Sequence, residues 1–519
     1  MTDYVIVGAG SAGCVLAEAL STRYSVVVLE AGGSDRSLEV AVPAAFSKLF
    51  LSERDWGLHS EPEPGADHRS LYLPRGRMVG GSSSMNAMLY IRGRPSDYNS
   101  WVEAGARGWG WDEVLPVFRA MESNSRGADA HHGDSGPLLV TDITRPNLLT
   151  RAFVEAALDL GIPPNPDFNG PTQEGVGFFQ VTQRRGRRWS AADAFLRPAS
   201  PRPTLRVETR ALATRIVVDE GRAVAVEYVR DGRLQRVEAR REVVVAAGAF
   251  GSPHLLQLSG IGDPDHLRSI GISPTVESPD VGRNLQDHPV VPVIFDTDFT
   301  GTLDDAENPM EQARWLFLRR GRLTSPVAEG CAFVRSGPDI EEPDLQFHFG
   351  PVNFDNHGLE PYDGHAFTLG PVLINPRSRG SVRARSDDPT MTPAIEVNCL
   401  SDPADVRALV SGVEMAREIA SRDAFDRFRG VELKPGAGLR SDADLTGYVR
   451  SNVELLYHPV GTCRMGDDER AVVDPELRVR GVAGLRVADA SVMPTVVSGN
   501  TNAPTMMIAA RGARMILAG

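Results

Sequence analysis

The sequence predicts an α/β plus α+β chain, with a buried parallel sheet at its start and antiparallel strands further on. Three observations lead there: two short apolar, β-branched runs near the start, a glycine string between them, and alternating apolar runs beyond residue 345. Residues 4–7 form the first run, which stops at Gly8. Strands buried on both faces read this way in parallel sheets. Residues 8–13 open a helix whose apolar side is Cys14, Val15, Leu16, Ala17 and Leu20. Residues 25–29 form the second run and end at Glu30. Strand, helix and strand make one unit with a right-handed crossover.

The next stretch, 32–77, is irregular and carries Pro43, Pro62, Pro64 and Pro74. Long irregular stretches inside a domain usually do something, and a rim or lid over a site is expected here. A helix follows over 151–161, then a Pro/Asn/Gly-rich loop over 162–177. Residues 204–227 read as strands turning at Asp219-Glu220-Gly221, and 242–247 as one more buried strand ending at Gly248 before a helix. Strand, glycine and helix start place a ligand at a sheet's carboxyl edge. The runs 345–349 and 367–374 alternate as antiparallel strands, with 381–384 after a turn. Residues 402–419 and 503–517 are helices, the second of them buried.

A chain of 519 residues exceeds one compact core, so two large units are expected. Hydrophobic residues at 41% and charged residues at 24% are ordinary for a globular protein, which excludes disorder for the body of the chain. A formal net charge of -13 repels nucleic acid and argues against docking on anionic lipid. The short basic run Arg184, Arg185, Arg187, Arg188 is read as a solvated loop. Cys14, Cys331, Cys399 and Cys463 form no C-x-x-C pair, so neither a zinc site nor a disulfide framework is indicated, and no metal is read. Reduced, buried thiols in a cytoplasmic protein are expected. The start runs directly into a strand without a basic, apolar leader, and no stretch is long enough to span a membrane.

Gly8-x-Gly10-x-x-Gly13 lies between strand and helix, where each glycine has a task. Gly8 makes the tight turn, Gly10 lets a pyrophosphate reach the backbone, and Gly13 lets helix and strand pack closely. The helix start offers free N–H groups to the phosphates. Glu30, about twenty residues on, can accept the two ribose hydroxyls of an adenosine, and its charge opposes a 2′-phosphate. This is a Rossmann-like site, but the motif does not separate FAD from NAD. No second such glycine string follows another strand, so a separate nicotinamide domain is not evident. Four more segments carry chemistry: 74–86 (PRGRMVGGSSSMN), 246–253 with 259–262, 457–466 (YHPVGTCRMG), and 487–491 with 499–505. The small residues of 74–86 admit a bulky planar ligand to the backbone.

These five segments resemble the glucose–methanol–choline (GMC) oxidoreductases, in order and at family-like spacing, from residue 4 to about 512. Segments 74–93 and 248–262 are similar to the two signature patterns of that family. The resemblance implies a flavoprotein with a discontinuous FAD-binding domain (1–147, 190–300 and 456–519). An inserted substrate domain (148–189 and 301–455) is built on a large antiparallel sheet flanked by helices. It implies FAD held by Gly8, Gly10, Ser11, Ala12, Gly13, Glu30, Ala31, Arg77, Val79, Gly81, Asn86, Ala87, Met88, Ala213, Ala247, Gly248, Asp489, Ala490, Asn502 and Thr505.

It further implies that His458 is the catalytic base and Asn502 the second member of the catalytic pair, with hydride passing from substrate to flavin N5. An imidazole near pKa 6.5 suits proton abstraction at neutral pH. Some members attach FAD through a histidine where Met85 stands here, so the FAD is expected to be non-covalent. His254, His288 and His348 are expected to be structural. Glu329, Phe354 and Tyr457 match the substrate region. Choline-oxidising members carry Trp where Ala328 stands, which leaves an aromatic box unlined. A primary aliphatic or aryl alcohol is therefore ranked above choline, with oxygen or an electron carrier as acceptor. Choline oxidation and a hydroxynitrile lyase on the same fold are the alternatives. The oligomeric state stays open.

Overall fold

The computed structural model describes residues 2–360 and 362–518. Its first unit is β1 (Thr2–Val7), α1 (Ser11–Leu20) and β2 (Val26–Glu30). β1 pairs in parallel with β2 and with the strand Arg233–Val245, so Val5 lies between Val27 and Val243 and Ile6 between Val28 and Val244. These side chains are fully or nearly fully buried, each contributing about 1.5–3 kcal/mol of transfer free energy. Leu205–Thr209 extends the sheet beyond β2, and Leu485–Val487 adds in parallel to the end of Arg233–Val245.

That last strand serves two roles. Its C-terminal end, Glu242–Val245, is the buried parallel strand expected over 242–247. Its N-terminal half pairs antiparallel with Arg222–Arg230, which pairs in turn with Leu212–Asp219. The polar sequence of that half (RLQRVEARRE) concealed its continuity with the valines. The helix Asn502–Ala518 packs Met506, Met507 and Ile508 beneath this sheet beside α1.

The second sheet is antiparallel, in the order Glu432–Lys434, Val293–Asp296, Ala366–Leu373, Leu345–Gly350, Gly330–Val334, Gly175–Phe178, with Pro289–Val290 also paired to Ala366–Leu373 and Glu454–Leu455 paired to Pro289–Val290. Gly175–Phe178 begins inside the stretch 162–177 read as loop, and Val293–Asp296 comes before the boundary drawn at residue 300. The alternation expected here is absent in the burial: all 8 residues of Ala366–Leu373 are buried. One face packs Phe347, Phe367 and Leu369 against Leu409, Val413 and Ile419 of the helix Pro403–Ala420, and the helix Leu148–Asp159 adds Phe153. The other face closes on the first unit through Phe333, Val372, Met88 and Ile91. Covering both faces removes the inside–outside period of two. The four cysteines are free and buried. Among the described residues, no helix is long and apolar enough to cross a membrane.

Candidate active site

A cavity of about 410 Å³ runs from the turn after β1 to the inner face of the antiparallel sheet. Its near end is a backbone cradle. Gly8 sits at φ +100°, and a Cβ there would lie 2.5 Å from the Ala246 carbonyl oxygen. Gly81, at φ +51°, brings its backbone so near Gly10 that a Cβ would lie 2.7 Å from the Gly10 Cα. No side chain caps α1 at Gly10, which leaves its first N–H groups free for phosphate. Glu30 closes this end, accepting the Ala9 and Gly32 N–H groups at 2.8 Å each. Burial pushes its carboxyl up to about 7 against those two bonds. Asp489 accepts the Gly248 N–H at 2.8 Å and the Ser491 N–H at 2.8 Å, holding two lining loops together. A glycine cradle, a helix start and a carboxylate together fit the pyrophosphate and adenosine of a dinucleotide.

Of the residues expected to hold the cofactor, all line this cavity except Gly13, Arg77 and Val79. Gly13 packs α1 onto the turn instead: a Cβ would meet the Gly8 carbonyl oxygen at 1.9 Å. Arg77 stacks its guanidinium on Trp56 at 4.8 Å. Val79 donates its N–H to Gly33 at 3.0 Å and packs its side chain on the core. Arg188, read as part of a solvated loop, is buried. It donates to Val40 O at 2.9 Å and to Asn86 Oδ1 at 2.9 Å, tying the rim to the lining segment 83–86. Burial lowers its guanidinium to about 9.

At the far end the chain turns at Tyr457, φ +67°, and delivers His458 into the cavity. Asp287 Oδ1 accepts the backbone N–H of both His458 and His288 at 2.7 Å, which fixes the two histidines together. Their Nδ1 atoms lie 3.0 Å apart. Asn500 Nδ2 lies 3.2 Å from His458 Nε2, while its Oδ1 accepts from Gln346 Nε2 at 3.4 Å. The Gln346 contact orients the Asn500 amide, so Asn500 donates and His458 Nε2 accepts. The His458 proton then sits on Nδ1 and points at His288, whose own proton sits on Nε2. Burial, with His288, His348 and Arg75 nearby, holds the His458 imidazole well below 6.5.

Three expectations change here. Asn502 does not meet His458. As the first residue of Asn502–Ala518 it turns back and accepts Ser11 Oγ at 2.7 Å, bridging two helix starts at the cofactor end. Asn500, still outside the helix, is the amide at the imidazole. Both stand in the same Gly-Asn-Thr-Asn string. The helix start two residues later was the available signal, because a first-turn asparagine is drawn to backbone and neighbouring hydroxyls.

Glu329 faces away from the cavity. Its carboxylate accepts the Asn147 N–H at 2.7 Å, Thr150 Oγ1 at 2.9 Å and Ser325 Oγ at 2.7 Å. Ala328 lines the cavity in its place. The histidines expected to be structural are drawn into the site: His288 contacts His458, and His348 and His254 line the cavity. Burial lowers His288 and His348 to about 3 and His254 to about 4, so all three are neutral. Nothing in the local sequence of these three distinguished them from core histidines. Tyr457 and Phe354 line the cavity, with Phe46, Phe50, Val290, Val327 and Leu456. Phe46 and Phe50 come from the irregular stretch read as a rim. Tyr457 OH lies 2.5 Å from His357 Nδ1.

The GMC oxidoreductase family profile matches residues 2–290, and its C-terminal counterpart matches 376–509. An oxygen-dependent choline dehydrogenase of Rhizobium meliloti (strain 1021) is 44% identical over 99% of this chain and 95% of that protein. An alcohol dehydrogenase [acceptor] of Pseudomonas putida is 42% identical, covering 100% of this chain and 96% of the other. The formate oxidase of Aspergillus oryzae, solved in work on FAD modification, superposes with a TM-score of 0.94 at 26% identity, covering 100% of this chain and 98% of that one. With the cradle, the imidazole and these relatives in view, the chain belongs to the GMC oxidoreductases and is an FAD-dependent oxidoreductase.

Proposed function

We propose that the substrate is an uncharged primary alcohol, aliphatic or aryl, and that His458 removes its hydroxyl proton. The observation carrying this reading is the apolar wall beside His458, made by Val290, Val327, Ala328, Phe354 and Leu456, with Glu329 turned away. A quaternary ammonium head is held by a carboxylate or an aromatic box. Ala328 leaves its side of such a box without a ring, although Phe46, Phe50, Phe354 and Tyr457 supply rings elsewhere in the cavity. The substrate oxygen binds within reach of His458 Nε2 and Asn500 Nδ2, the pair 3.2 Å apart. Nε2 takes the proton as the C–H bond breaks, and the Asn500 amide stabilises the charge left on oxygen. Bound FAD supplies the two-electron acceptor. The aldehyde then leaves, and oxygen or an electron carrier takes the electrons.

Choline is the second reading, favoured by the choline dehydrogenase relative at 44% identity and by Glu454, a cavity carboxylate that burial raises to about 7. An anaerobic panel of benzyl alcohol, 1-hexanol and choline, read by bleaching of the flavin absorbance, separates the two. The uncharged alcohols reduce the flavin at least about ten-fold faster, a difference of about 1.4 kcal/mol. Fastest reduction by choline overturns the first reading. Peroxide formation and dye reduction, followed in parallel, identify the acceptor.

A further inference from the structure

We propose that the face formed by the helix Pro309–Leu318 and the neighbouring arginine hairpin docks on an anionic lipid surface. Met310, Ala313 and Phe317 fall on one stripe of this helix, the spacing that normally buries a helix face. Here the stripe faces solvent, with Met310 71% and Phe317 78% exposed and Leu318 beside it at 64%. Within the helix only Glu311 and Trp315 are buried. Soluble surfaces scatter large apolar residues singly, and a group of them marks an interaction site.

The rim of this group is basic. Trp315 Nε1 donates to Gly186 O at 2.8 Å, which seats the tip of the Arg184–Arg187 hairpin against the helix end. A Cβ at Gly186 would lie 2.6 Å from the Arg319 carbonyl oxygen, so the two backbones touch. Arg184, Arg185 and Arg187, all exposed, are thereby gathered beside exposed Arg320 and beside Arg319, whose guanidinium lies over the Trp315 ring at 3.9 Å. Nearby Arg314 pairs with Glu311, and Arg322 with Asp305. Among the described residues, none of the five gathered arginines has a carboxylate within ion-pair distance.

On a chain of net charge -13, such a cluster is a local exception to the repulsion expected from composition. Charge acts over about 10 Å at ordinary salt, so the local patch governs contact with a surface. Arginines at an anionic headgroup layer, with Phe, Leu and Met entering the acyl boundary, make the arrangement of an interfacial helix. The apolar residues project from a helix instead of lining a recess, which suits a bilayer better than a partner's side chain. Under the helix, Trp315 packs with Ala41 and Leu323, and Val327 joins that cluster to the cavity's substrate end. Docking would therefore set the substrate wall toward the bilayer.

The test is co-sedimentation of the FAD-loaded protein with large vesicles of equal parts phosphatidylglycerol and phosphatidylcholine, and with phosphatidylcholine alone. The wild type pellets with the anionic vesicles, at least about ten-fold less with neutral ones, and less at high salt. F317E/L318E and R185E/R187E/R320E each lower anionic binding at least about ten-fold. Both leave circular dichroism and alcohol-dependent dye reduction in solution unchanged. Failure of the wild type to pellet, or equal binding by the variants, overturns the proposal. So does a halved sedimentation mass in F317E/L318E without vesicle binding by the wild type, which would make this face a contact between copies of the chain.

Discussion

Asn500 and Asn502 stand two positions apart, and only Asn500 donates to His458 Nε2, at 3.2 Å. Asn500→Ala removes the donor at the developing oxyanion, and kcat falls about 10²–10³-fold with the flavin still bound. Asn502→Ala breaks its bond to Ser11 at the helix starts, so FAD dissociates more readily while the reduction rate of bound flavin changes less than about ten-fold. Flavin fluorescence on dilution and anaerobic stopped-flow reduction measure the two effects. Equal rate losses in both variants would contradict the assignment. The pH profile gives a second check. A folded-state pKa below 6.5 keeps the base neutral, hence active, until the pH falls through that lowered value. The acid limb of kcat/KM therefore lies below pH 6.5, and a limb at or above 6.5 contradicts a buried neutral imidazole. Identifying His458 from sequence needed its tyrosine–histidine–proline–valine–glycine context, because histidines such as His288 and His348 carry no local pattern and meet the base only through folding.

At the level of elements, the βαβ unit was legible because its constraints are local. Two valine-rich runs, a glycine turn and a terminal Glu30 all fall within 30 residues. The antiparallel strands were legible as strands, but their burial was not. Covering Ala366–Leu373 depends on helices Leu148–Asp159 and Pro403–Ala420 on one face and on Met88 and Ile91 of the first unit on the other, all distant in sequence. Glu329 shows the cost of placing a side chain by resemblance alone. One residue before the strand Gly330–Val334, its carboxylate faces the helix Leu148–Asp159 and anchors that helix start. Glu329→Gln weakens bonds to a buried charge worth about 1.5–3 kcal/mol each, so the protein is destabilised by about 2–3 kcal/mol. The KM for choline and for benzyl alcohol changes less than about three-fold, because neither substrate meets this group. Denaturant unfolding and steady-state kinetics separate the outcomes. An unchanged stability with a raised choline KM would restore Glu329 to the substrate site.

Across the whole molecule, the two units meet around buried polar groups as well as the cavity. Arg92, Glu122 and His132 form a buried cluster with half-buried Asp167 at its edge, His132 Nδ1 lying 3.0 Å from Glu122 and Nε2 2.8 Å from Asp167. Burial alone would lower His132, but Asp167 and Glu122 on either side raise it to about 9. A raised folded pKa gives stability that is full below the unfolded value near 6.5 and is lost as pH rises through about 9. Melting temperatures measured from pH 7 to 9.5 should fall more steeply for the wild type than for His132→Gln, and parallel slopes would contradict a charged His132. These pairings joined residues far apart in sequence, so composition did not reveal them. The net charge likewise concealed the basic face at Arg184, Arg185, Arg187 and Arg320. The central claim is that His458 is the base for alcohol oxidation, and anaerobic stopped-flow reduction of the bound flavin by benzyl alcohol tests it most directly. For His458→Ala the rate falls about 10²–10⁴-fold with FAD retained at wild-type stoichiometry. Reduction at the wild-type rate in that variant would contradict the account.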